Sequence, residues 1–96
     1  MATIDGSALP TTTAKCEKFR KALVGKKVDF NSTGSRENNA LLNLLKCECK
    51  ESKVCGPVQQ RYAMCHKSVM GAGTFEGRNN CGTEMRELYD CWRDSK

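Results

Sequence analysis

The chain has 96 residues, seven of them cysteine, with a net charge of +5; 39% of residues are hydrophobic and 6% aromatic. That length holds one small domain, and so thin a core calls for the staples that cysteines supply. No stretch approaches the roughly 18 apolar residues of a membrane span, and this many cysteines suit a reducing cytosol only as metal ligands or redox groups.

Residues 1–14 are small, rich in threonine and carry Pro10, which reads as an extended arm over a partner or a loose end. Met1 to Thr13 carry only the charge of Asp5, so they resemble neither a secretory signal nor an arginine-rich transit peptide. An oxidised fold without such a signal points to the mitochondrial intermembrane space. From Cys16 to Val28, Cys16, Phe19, Ala22 and Leu23 recur at helical spacing, which predicts a short basic amphipathic helix closed by Gly25 and the run Asn31 to Ser35.

Ser35 as N-cap and Glu37 in the first turn predict the start of a second helix, which carries Leu41, Leu42, Leu44 and Leu45 to Cys47 and Cys49. This most apolar run must pack on the C-terminal half or on another protein. Gly56-Pro57 opens a third helix, with Val58, Tyr62, Cys65 and Val69 on one stripe and an end near Met70. A fourth runs from about Gly82 to Arg93, with Cys81, Met85, Leu88 and Trp92 on its facing stripe. Nothing reads as strand.

Cys55 and Cys65, and likewise Cys81 and Cys91, are each separated by nine residues. Ten helical steps turn about 1000°, close to three full turns, so each pair lies roughly on one helix face. Structural zinc prefers ligands two to four residues apart, which argues against a metal here. Spacing alone leaves three connectivities open.

Two such pairs joined by 15 residues resemble the twin C-x9-C or CHCH (coiled-coil-helix-coiled-coil-helix) family of mitochondrial proteins. The resemblance implies an antiparallel helical hairpin with an outer Cys55–Cys91 and an inner Cys65–Cys81 bridge. It also implies oxidation by the mitochondrial disulfide relay, for which Val58, Tyr62, Met85 and Leu88 would form the docking face. The expected fold is therefore all-α: a disulfide-stapled hairpin over 51–96, a basic helix, loop and leucine-rich helix over 15–50, and an extended arm over 1–14.

Cys16, Cys47 and Cys49 remain. Cys47-Glu48-Cys49 is similar to the C-P-C redox pair of the relay's own oxidoreductase, although Glu48 replaces the proline and Cys49 lies close to Cys55. Soft thiolates also select Cu(I), but the Cys-Cys-x-Cys of the cytochrome oxidase copper chaperone is missing. The structural alternative bridges Cys16 to Cys47 or Cys49. His66 beside Cys65 reads as an exposed histidine, and Gly71, Gly73 and Gly77 read as linker because no strand precedes them.

Residues 1–36 carry seven Lys or Arg against three acids, and most of this charge lies at Lys15, Lys18, Arg20, Lys21, Lys26 and Lys27. That segment is a candidate contact for RNA phosphates or anionic lipid, with a solvated face as the alternative. The resemblance to the twin C-x9-C family implies a non-enzymatic accessory subunit of a large mitochondrial assembly, and the residues suggest no cofactor, metal or small-molecule substrate. A respiratory-chain complex on the intermembrane side is the first expectation, with other subunits as partners. The alternatives are a small-subunit protein of the mitochondrial ribosome, in the matrix, or a C-x-C thiol oxidoreductase or copper carrier.

Overall fold

The Ser35 hydroxyl accepts a hydrogen bond from the Asn38 amide at 3.1 Å, satisfying one of the free donors that open a helix. From this cap α2 runs Arg36–Ser52 in a computed structural model that describes residues 3–95. Leu41, Leu42, Leu44 and Leu45 are all buried within the chain itself, so the leucine run finds its partner surface intramolecularly. Each such burial contributes about 1.5–3 kcal/mol.

A three-residue connection then turns the chain. Lys53 and Cys55 both take the left-handed region, at φ 54° and 63°, where side chains are normally disfavoured. The bridge from Cys55 to Cys91 holds this turn from outside. Helix α3, Gly56–Ala72, starts with Pro57 and ends at Gly73. There φ of 89° lets the amide donate back to the carbonyls of Ser68 and Val69. Glu76 and Gly77, both at positive φ, form a two-residue turn between Phe75 and Arg78, which exchange both backbone hydrogen bonds.

Helix α4, Gly82–Asp94, folds back along α3. The start of α3 is tied to the end of α4 by Cys55–Cys91, and its other half to the start of α4 by Cys65–Cys81, with Cα–Cα distances of 6.0 and 5.9 Å. Helix α4 is the central element, because Met85, Leu88 and Trp92 are inaccessible and it packs on both α2 and α3. The Phe30 ring lies 5.8 Å from Tyr89, and Tyr89 lies 5.9 Å from Trp92.

The N-terminal third departs from an all-α fold. Thr3–Asp5 forms β1 and pairs antiparallel with β2, Lys27–Asp29, in the register Thr3 to Asp29, Ile4 to Val28 and Asp5 to Lys27. The expected helix over Cys16–Val28 is accordingly shorter. A 3-10 turn at Ala14–Cys16 leads into α1, Glu17–Lys21, after which turns through Gly25 (φ 79°) deliver the β-branched Val28 to the strand. Ala22, expected on the helix stripe, is exposed, while Leu23 and Val28 are buried.

The arm is ordered against its own chain from Thr3 onward; residues 1 and 2 lie outside the described residues. Gly6 explains how it fits so closely. It is buried, and a Cβ there would stand 1.9 Å from the carbonyl oxygen of Leu23. Its amide donates to the Lys26 carbonyl at 2.8 Å, extending the strand pairing by one bond.

Candidate functional site

The sulfur framework is the first place to look for chemistry. Cys47 faces α1 and is bonded to Cys16, with a Cα–Cα distance of 5.8 Å. Cys49, two residues on along α2, points about 200° away and is a buried free thiol. The two therefore form no vicinal C-x-C pair. Burial, reinforced by the neighbouring Glu48 carboxylate, raises the Cys49 thiol above its ordinary pKa, which suppresses the thiolate that nucleophilic attack or metal ligation requires.

Glu48 itself is fully buried. One carboxylate oxygen accepts the Thr13 amide at 2.9 Å, clamping the end of the arm to α2, while the other has no hydrogen-bond partner. Thr12 and Arg20 both donate to Glu17, and these hydrogen bonds pull its carboxyl down to about 2. The Glu48 clamp and the Cys16–Cys47 bridge thus make the arm, α1 and α2 one unit.

Among the described residues a single cluster of ligating atoms converges, Cys65, Cys81 and Glu84, within 4.8 Å of one another. Its sulfurs are bonded to each other, and Glu84 takes a two-fold ion pair from Arg78 at 2.8 Å. That pair lowers the Glu84 pKa and ties the interhelix turn to the first turn of α4. The cluster is committed to structure. No helix among the described residues is long and apolar enough to cross a membrane.

Of the expected relay-docking face, Tyr62, Met85 and Leu88 lie in the core and Val58 is partly buried. Tyr62 donates to Asn38 at 3.4 Å across the α2–α3 seam, and burial pushes its hydroxyl up to about 12. His66 is half-buried rather than exposed, with its ring 5.9 Å from that of Tyr62.

The basic segment is only partly free. Lys15 pairs with Glu51 at 3.8 Å, Arg20 with Glu17, and the Lys18 ammonium sits 5.1 Å from the centre of the Phe19 ring. Lys21, Lys26 and Lys27 are exposed beside Val24, itself 51% exposed. They cluster on the turn between α1 and β2 and are not spread along one helix face.

Two concavities stand out among the described residues. A wide depression of about 480 Å³ lies over the Cys47 side of α2, bordered by Phe19, Lys50 and Glu51. A narrower cleft of about 180 Å³ runs between α2 and α3, with Leu42, Tyr62 and Ala63 as its apolar surface and Lys46, His66 and Lys67 along it. Sequence reading missed this cleft because it depends on how far α2 and α3 splay. Compared with family models, with curated proteins and with solved structures, the chain matches none.

Proposed function

We propose that the chain is a twin C-x9-C hairpin protein of mitochondria that serves as a structural subunit of a large assembly, on the intermembrane side of a respiratory-chain complex. The observation that carries this reading is the use of the cysteines. Six of the seven are bonded across elements, and the seventh is buried. Three bridges in a chain of this size suit an oxidising compartment. With Cys47 bonded to Cys16 and Cys49 buried, the arrangement weighs against a C-x-C oxidoreductase or a copper carrier. Helix α3 supports a role inside an assembly, since of its 17 residues only Tyr62, Cys65 and Val69 are buried.

Docking to the disulfide relay through Val58, Tyr62, Met85 and Leu88 belongs on this reading to the reduced, unfolded chain, before those side chains enter the core. A ribosomal placement in the matrix is favoured by one feature, the cluster of Lys21, Lys26 and Lys27 on an exposed turn, which suits phosphate contacts. Native fractionation of mitochondria carrying the tagged chain separates the two. Co-migration with a respiratory-chain complex, unchanged by RNase, is the expected result. Co-sedimentation with ribosomal subunits that RNase abolishes would transfer the chain to the ribosome, and migration as a free monomer would end the subunit reading.

A further inference from the structure

The cleft between α2 and α3 has three properties that together specify an occupant. Its size comes first. About 180 Å³ is below the roughly 300–1,000 Å³ of pockets that enclose small molecules, so it suits a row of side chains better than a metabolite.

Its shape follows from the packing. Helix α4 packs on both other helices, whereas α2 and α3 meet mainly through side chains such as Tyr62 and Asn38, which leaves their seam open. Along α3 the cleft is lined by Gln59, Ala63 and His66, and Met70 continues their stripe beyond it, at the i, i+4, i+7 and i+11 spacing of one helix face. That stripe is about 16 Å long, some three turns, and Met70 at its end is 51% exposed. A second helix laid along such a stripe buries its own apolar face, which is the helix-in-groove mode of peptide recognition.

Charge supplies the third property. Lys46 and Lys67 stand along the cleft, exposed, and neither belongs to an ion pair among the described residues. No acid lines the cleft, and α3 contains none at all. Of the three acids of α2, Glu48 lies under the Thr13 amide and Glu51 pairs with Lys15, while Glu37 stands in the first turn, nine residues from Lys46. Unopposed cations beside the small and apolar positions of a mixed stripe, Ala63 and Met70, call for carboxylates beside apolar side chains. A flat anionic membrane or an RNA backbone would instead find Lys21, Lys26 and Lys27, three exposed cations at and around the α1–β2 turn.

We propose that the α2–α3 cleft is a docking groove for an acidic amphipathic helix of a partner protein. The partner's carboxylates meet Lys46 and Lys67, and its apolar side chains lie on Ala63 and Met70, above the nearly covered Leu42 and Tyr62. The proposal rests on the subunit reading only in taking another protein as the occupant.

A photo-crosslinking residue at Ala63 in the full chain, expressed in its native cells, tests this against the same residue at Met64, which points about 100° further round α3 and out of the cleft. The expected result is a crosslink from position 63, absent from 64, to a segment whose sequenced peptide is an acidic amphipathic helix. Reversing both cations (K46E with K67E) then lowers the yield at least about tenfold, as expected for charges that steer and register an interface. Both lysines are exposed, and the K46A/K67A pair, checked for intact bridges by mass, shows the same direction without added negative charge. A crosslink to a second copy of this chain, to nucleic acid, to lipid or to a segment without acids would overturn the proposal. So would a yield indifferent to both pairs of substitutions, or no adduct at position 63. If the chain fractionates as a monomer yet gives the acidic adduct, the subunit reading fails while the groove stands. If it co-migrates with a complex and gives no adduct, the groove fails while the subunit reading stands.

Discussion

Reducing all three bridges is expected to unfold the chain at 25 °C. The bonded residues are separated by 31, 36 and 16 positions, and in the chain-entropy treatment each closure stabilises by about 3–4 kcal/mol. Losing all three removes about 10 kcal/mol, comparable with the whole stability of about 5–15 kcal/mol of an ordinary domain. Leucines of α2 and the aromatic cluster on α4 remain, so a collapsed, partly helical chain is the expected product. Urea titrations followed by far-UV circular dichroism, with and without a phosphine reductant, read the effect. A cooperative transition retained by the reduced chain would show that the core suffices without its bridges. Replacing Cys16 and Cys47 alone by alanine should leave the α3–α4 hairpin folded and release the arm, seen as rapid amide exchange at Gly6 and Lys26.

The second large effect is expected at Trp92. It is inaccessible, at the end of α4 and against the Tyr89 ring, in the element that both other long helices contact. Trp92→Ala removes the largest buried side chain and leaves a cavity that the disulfide-held helices are poorly able to close, at a cost of about 3–5 kcal/mol. Met64→Ala on the exposed side of α3 should change stability by less than about 0.5 kcal/mol. Urea midpoints for the two variants test the ranking. Equal midpoints would mean that α4 is not the centre of the core.

What could be read in advance was local. Ser35 and Pro57 mark helix starts by chemistry that acts within a turn, and α2 and α3 begin beside those residues. The N-terminal strand pair could not be read this way. Thr3–Asp5 and Lys27–Asp29 are three residues each, too short for alternation to register, and they exist because they meet across more than twenty positions. The close approach at Gly6 is equally non-local, since nothing near it in sequence names Leu23 as the neighbour.

The same holds for the sites. Whether Cys16 takes Cys47 or Cys49 depends on which face of α2 meets α1, and that is set by the burial of Leu45, which lies about 160° round the helix from Cys47. The leucine run was visible, but whether it served the core or a partner was not. Gln59, Ala63 and His66 mix polar and small residues, so their stripe has little contrast until the splay of α2 and α3 exposes it as one wall of a cleft.

The central claim is that this cysteine set is committed to architecture. Peptide mapping without reduction tests it directly, after alkylating the native protein with one reagent and the denatured protein with a second, isotopically distinct one. The account predicts Cys16–Cys47, Cys55–Cys91 and Cys65–Cys81 linked peptides, with Cys49 carrying only the second label because it is buried. A Cys47–Cys49 bridge, or a Cys49 labelled in the native state, would contradict it and return the chain to the thiol-active class.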